Sequence, residues 1–237
     1  MAAASVDQRF TRYPIVLPLL YTARTPAQNG AEGGWTHNLS EGGACLLLPE
    51  RLPPRLRLHL HLQTDGAPLE AEGRVIWSGK IGSDLVRHGV AITRIHADHR
   101  LLLQDLLLSK GRIRPAGVRL SVALPIMCRC KGQARPPIHG LTGDIGRGGL
   151  SLALPDALPP ATELVATLRT PAGPLTLPGT VIWVEASKLR GSRTSIRHGL
   201  QFTVLDAAVV LALARLLTVI PLQSQLPQPA EAGLLLP

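Results

Sequence analysis

Asn38-Leu39-Ser40-Glu41-Gly42-Gly43, followed at once by Ala44-Cys45-Leu46-Leu47-Leu48, sets small polar side chains and two glycines at the head of an apolar run. That order predicts a tight polar turn entering a buried strand, since glycine accepts turn geometry and a short apolar run suits a strand covered on both faces. A turn so composed presents hydroxyl, amide and backbone N–H groups. The arrangement recurs 106 residues later at Asp144-Ile145-Gly146-Arg147-Gly148-Gly149, followed by Leu150-Ser151-Leu152-Ala153-Leu154. The same turn in the same setting marks a duplication, so its chemistry is present, or once was, in two copies.

Flanking landmarks repeat with it. Arg12-Tyr-Pro-Ile-Val-Leu-Pro-Leu-Leu20 is mirrored by the segment from Arg119 to Met127, Arg74-Val-Ile-Trp77 by Thr180-Val-Ile-Trp183, and Arg87-His-Gly-Val by Arg197-His-Gly-Leu, at offsets of 107, 106 and 110 residues. This period is far too long for a solenoid and suits two tandem domains. In the first copy, residues 15–21 read as a strand in which Pro18 requires an edge or a bulge, and residues 24–34 read as a loop. Arg55 to Leu62 alternates strictly, with Leu56, Leu58, Leu60 and Leu62 on one face and Arg55, Arg57, His59 and His61 on the other. Further strands end at Trp77 and cover residues 87–93. From Asp98 to Leu108 the period changes, with Leu102/Leu106 and Leu103/Leu107 at helical spacing, and the closing helix returns at residues 206–219. About six short strands and one terminal helix per copy predict a small antiparallel barrel, because closing the sheet removes its exposed edges. The predicted architecture is mainly β: two tandem six-stranded antiparallel barrels, each followed by a C-terminal helix. The domains span residues 1–111 and 112–220, and a Pro- and Gln-rich tail, expected to be disordered, covers 221–237.

Composition narrows the functional classes. No run of 18 apolar residues occurs, and the first residues lack a signal-peptide core, so the reading is a cytoplasmic chain without a membrane span. Cys45, Cys128 and Cys130 cannot all pair and lack redox or zinc spacing, which makes them reduced thiols. His59 and His61 have no third ligand near them in sequence and read as solvated rather than metal-bound. The formal charge is +9, with 12 Lys/Arg against 10 Asp/Glu in residues 1–110 and 13 against 6 in the remainder. A basic field attracts nucleic acid, anionic lipid, acidic proteins or phosphorylated small ligands alike. Seven aromatic residues in all leave few stacking platforms, which disfavours nucleic acid. The loop from Glu185 to Arg197, longer than its counterpart and carrying four cations against one anion, is either a solvated hairpin or a docking surface for an acidic partner. No general-base pair, nucleophile elbow or phosphate-cradling loop with its lysine is present, so the chain reads as a non-enzyme.

Taken together, basic residues ahead of the first strand, Asn/Asp-x-Ser-x-x-Gly about 25 residues later, an apolar-x-Trp strand and a late His-Gly-Val strand resemble the PilZ family. The resemblance covers residues 8–108 and 115–219. It implies six-stranded barrels that bind the bacterial second messenger cyclic di-GMP through Arg-x-x-x-Arg and Asp/Asn-x-Ser-x-x-Gly. In the first copy the second pattern is complete at Asn38, Ser40 and Gly43. Of the arginine pair Arg12 is present, while Gln8, with Arg9 beside it, stands where the opening arginine belongs. The resemblance therefore implies a ligand set of Gln8, Arg9, Arg12, Asn38, Ser40 and Gly43 around cyclic di-GMP, with no cofactor or metal. A guanidinium there can fork onto a guanine edge, stack on its ring or pair with a phosphate. The alternative for residues 38–43 is a turn that caps itself through Asx or Ser hydrogen bonds. His88 and His198 read as satisfied barrel histidines. The second copy has Gly146 in place of the serine and Pro115 in place of the first arginine, so it is expected to bind no nucleotide and to serve as a homodimerisation or protein-partner module. The leading reading is a non-catalytic cyclic di-GMP receptor regulating a partner in motility, secretion or exopolysaccharide control. The others are a degenerate PilZ interaction module without nucleotide and a nucleic-acid-binding barrel.

Overall fold

The computed structural model describes residues 10–23, 30–81, 85–110, 116–132, 135–186 and 195–224. In the first unit the strands are β1 (Ile15–Val16), β2 (Pro18–Ala23), β3 (Glu32–Ser40), β4 (Gly43–Leu48), β5 (Arg57–Leu62), β6 (Leu69–Ile81) and β7 (Leu85–Arg94), followed by helix α1 (Ala97–Lys110). β2-β3-β4-β7-β6-β5 close into an antiparallel barrel. The second unit contains β8 (Ala116–Gly117), β9 (Leu120–Ser121), β10 (Pro125–Cys130), β11 (Ile138–Gly146), β12 (Gly149–Leu154), β13 (Glu163–Thr170), β14 (Gly173–Ala186) and β15 (Ile196–Phe202), then helix α2 (Ala207–Ser224). Its barrel runs β10-β13-β14-β15-β12-β11 and closes through the β10–β11 pairing, with β9 added beside β11.

Each barrel interior is filled by the alternating apolar positions. Leu58, Leu60 and Leu62 are buried on β5, and every residue of β4 is buried. Pro18 and Pro125 begin β2 and β10, a position that asks no N–H of the ladder. A threonine bridges the break before each proline. Thr36 Oγ1 accepts from Leu17 N and donates to Ile15 O, both at 2.7 Å, and Thr142 joins Leu124 N to Val122 O in the same way.

The Trp and His-Gly landmarks also acquire a cause. β6 bulges at Ile76, so that Val75 pairs with Val90 and Trp77 with Gly89. The indole then lies flat on β7, where a Cβ at position 89 would come 2.0 Å from Trp77 Nε1. Trp183 covers Gly199 identically. His88 is fully buried; its Nε2 accepts from Leu52 N–H at 3.0 Å, which puts the proton on Nδ1, 3.1 Å from Val86 O. His198 Nε2 accepts from Leu158 N–H at 2.9 Å, while its Nδ1 is buried without a hydrogen-bond partner. Burial lowers the pKa of both rings and keeps them neutral. His88 is therefore the satisfied barrel histidine expected, and His198 is buried in the same place with one ring nitrogen unpaired.

Three expectations change, the first being that the strand expected to end at Trp77 runs on to Ile81. Residues 32–34 belong to β3 rather than to the loop, because Gly33 and Gly34 serve close approach instead of a turn. A Cβ at Gly34 would lie 2.5 Å from Leu48 Cδ2 and one at Gly33 would lie 2.5 Å from Arg215 Cγ. The final helix also continues past residue 220, through Pro221 to Ser224, beyond the expected start of the tail; residues 225–237 lie outside the described ones.

α2 does more than close its own barrel. It packs against β2 and β3 of the first barrel as well as β14 of the second. Leu213, Ala214 and Leu217 are fully buried, Trp35 Nε1 donates to Val210 O at 2.9 Å, and Arg215 Nη2 donates to Ala31 O at 2.9 Å. A short parallel ribbon, Ile15 with Ala116 and Val16 with Gly117, adds a second tie between the units.

Candidate functional site

The first unit's polar turn lies between β3 and β4, on the outside of the barrel. β3 carries Trp35, His37, Asn38 and Ser40; register places Asn38 opposite Cys45 and Ser40 opposite Gly43 on β4, while β7 sets Arg87 opposite Leu47. A bulge at His37 lets that residue and Asn38 follow one another out of strict alternation. Arg12 Nη1 donates to Asn38 Oδ1 at 3.1 Å, so the structure brings together the arginine and the amide that the sequence paired at a distance of 26 residues. Arg12 is exposed and Asn38 half-buried.

Ser40 and Gly43 act differently in the turn. Ser40 is 2% exposed, and its hydroxyl donates to Gly43 O at 3.0 Å, which leaves the oxygen free only to accept. A Cβ at Gly43 would lie 2.4 Å from Val90 O, so the glycine permits β4 to approach β7. Phe10 covers Gly42, where a Cβ would meet its ring at 2.4 Å. Gln8 and Arg9 lie outside the described residues, as do residues 187–194 of the basic loop.

Two further cationic groups that the sequence did not join to the turn, Arg87 and Arg147, lie near His37. Arg87 reaches over β4 with its Nε buried and without a hydrogen-bond partner. Arg147, from the second unit's turn, stacks over the Trp35 ring at 5.7 Å from its centroid. Burial lowers the Arg147 pKa. His37 is held below its ordinary value first by burial and then by the positive charges of Arg87 and Arg147. Burial pushes the Cys45 thiol up, and Arg87 and Arg12 pull it partly back. Among the described residues no carboxylate pairs with Arg12, Arg87 or Arg147. The signal for Arg87 was its place beside His88 in a repeated motif; for Arg147 it was the Glu41 that occupies the equivalent turn position in the first unit.

The second unit's turn has the same frame with its polar groups already engaged. Arg119 Nε meets Asp144 Oδ1 at 2.5 Å, and Ser151 Oγ both donates to Asp144 Oδ2 and accepts from Asp144 N at 2.9 Å. At Gly146 a Cβ would sit 3.1 Å from Val118 O and 3.2 Å from Arg119 Cγ, which leaves little room for the missing serine. Cys128, like Cys45 and Cys130 a free buried thiol, is pushed up to about 12 by burial. No group of three or more potential metal ligands gathers among the described residues, and no described helix is long and apolar enough to cross a membrane.

Two closed six-stranded antiparallel barrels stand in tandem, each with an Asx-containing turn, between β3 and β4 in the first and between β11 and β12 in the second, and a helix after it. The PilZ domain model matches residues 7–109 and again 114–218, and the chain belongs to the PilZ family. Among solved structures it is similar to the Bacillus subtilis inhibitor of motility MotI/DgrA, at 15% identity over 90% of this chain and 99% of that one, with a TM-score of 0.39. It is also similar to Escherichia coli YcgR in complex with c-di-GMP, at 12% identity over 88% and 85% with a TM-score of 0.39. Klebsiella MrkH in its apo state matches at 14% identity over 88% of each chain with a TM-score of 0.41. No curated protein matches the chain.

Proposed function

We propose that the chain is a non-catalytic cyclic di-GMP receptor that binds its ligand on the first unit and passes the binding event to a protein partner. The observation that carries this reading is the Arg12–Asn38 contact set beside Arg87, against an Asp144 whose two oxygens are already held by Arg119 and Ser151. Two phosphates and two guanines suit a patch rich in guanidinium donors and without a pairing carboxylate. Ser40 and Gly43 shape the turn, and Gln8 and Arg9, ahead of the first strand in sequence, complete the ligand set. Binding that changes how the two units meet alters the surface offered to a partner in motility, secretion or exopolysaccharide control. The second unit acts as a partner or dimerisation module.

Calorimetric titration with cyclic di-GMP tests the reading. Saturable binding by the parent, lost in Asn38→Ala and kept in Asp144→Ala, is the expected result. Absence of binding by the parent overturns it in favour of a PilZ interaction module without nucleotide.

A further inference from the structure

Arg147 is in an unusual position for a turn residue. It leaves the second unit, crosses to the first and lies over Trp35, three residues along β3 from Asn38 and thus about 10 Å away along the strand. Its equivalent, Glu41, stays at home and accepts from Gln104 of α1. The duplication has therefore exchanged an acid serving its own helix for a base serving the other unit. That base is half-buried, has no carboxylate partner among the described residues and shares its surroundings with Arg87, whose Nε is buried and donates to nothing. Like charges gathered on a partly desolvated surface repel, and one aromatic face beneath one of them offsets little of that cost. An anion arriving between them removes the repulsion and satisfies the orphaned donors.

We infer that Arg147 is a ligand-contacting residue of the first unit's site, so that a phosphate-bearing nucleotide is held by Arg12 and Arg87 from one barrel and by Arg147 from the other. The inference rests on the receptor reading above for the identity of the nucleotide but not for the shared site. The unit that has lost the nucleotide pattern in its own turn keeps a role as the second jaw of its neighbour's. Trp35 orients the guanidinium: its indole is locked by the bond to Val210 O on α2, so the stacked arginine is held in place before the ligand arrives.

The test compares the full chain with Arg147→Met, which keeps the apolar stem on Trp35, and with Arg147→Lys, which keeps charge but loses the fork. Each is titrated with cyclic di-GMP, linear pGpG, GTP and inorganic pyrophosphate at two salt concentrations. The expected result is at least tenfold weaker cyclic di-GMP binding and a flatter salt dependence for Arg147→Met, part of the affinity returning in Arg147→Lys, and an unchanged melting temperature. If Arg147→Met melts early, Arg147→Gln, of similar length without charge, carries the same comparison. Parent-like binding by the methionine or glutamine variant overturns the shared site while leaving the receptor reading intact. If the parent ignores cyclic di-GMP but binds another of the four ligands in an Arg147-dependent way, the receptor reading fails and the shared site stands. If none of the four binds, both fail.

Discussion

Replacing Arg12 by alanine separates binding from folding at this site. Among the described residues the side chain has one polar contact, to Asn38 at 3.1 Å, and it is exposed, so its removal from the free protein leaves no buried charge or unsatisfied buried group. Surface substitutions of this kind change stability by about 0.5 kcal/mol or less. The bound state is different, because there the guanidinium would make a charge-assisted hydrogen bond to phosphate or guanine, worth about 1.5–3 kcal/mol. At about 1.4 kcal/mol per factor of ten, the dissociation constant should rise by roughly 10- to 100-fold. The assay pairs calorimetric titration of cyclic di-GMP with urea unfolding of the same preparations. The expected outcome is a large loss of affinity with an unmoved unfolding midpoint. Parent-like affinity in Arg12→Ala together with lost binding in Asp144→Ala would refute the reasoning, since it would place the ligand on the second unit.

Gln8→Arg adds a forked cation to the N-terminal arm and should tighten cyclic di-GMP binding about tenfold; an unchanged constant would mean that Arg9 already supplies that contact. Gly33→Ala puts a methyl group 2.5 Å from Arg215 Cγ and 3.0 Å from Leu211 O, so α2 must shift, at a cost of about 1–3 kcal/mol read from urea unfolding; a neutral result would mean that the helix does not seat on β3. His88 and His198 have pKa values lowered by burial, so protons prefer the unfolded chain: stability should be complete above about pH 6.5 and fall as pH drops below it. Thermal melts from pH 7.5 to 5 check this, and a slope equally steep in the His88→Gln/His198→Gln variant would assign the effect to other groups.

Much of each barrel was legible because its signals are local. The Leu56 to Leu62 alternation, the polar turn at residues 38–43 and the leucine spacing of α1 each depend on a few consecutive residues, and a strand or turn expresses them wherever the chain goes. Duplication doubled the signal, so the Val-Ile-Trp77 and His88-Gly89 segments could be recognised as landmarks before their packing was visible. The Arg12–Asn38 pairing was reachable through the family pattern. Gly33 was misassigned for a physical reason: a glycine needed for a turn and one needed for helix contact look alike until the helix is in place.

The sequence alone therefore determined the two barrels, their order and the polar turn of each, since strand period and turn chemistry are properties of neighbouring residues. Only the tertiary structure decided how the barrels meet. Trp35 bonds to Val210 across 175 positions and Arg215 to Ala31 across 184, through contacts set by the docking of preformed surfaces that leave no period in the chain. That docking places α2 against the first barrel and carries Arg147, from a turn with glycine at the serine position, onto Trp35 of the unit whose turn has the serine.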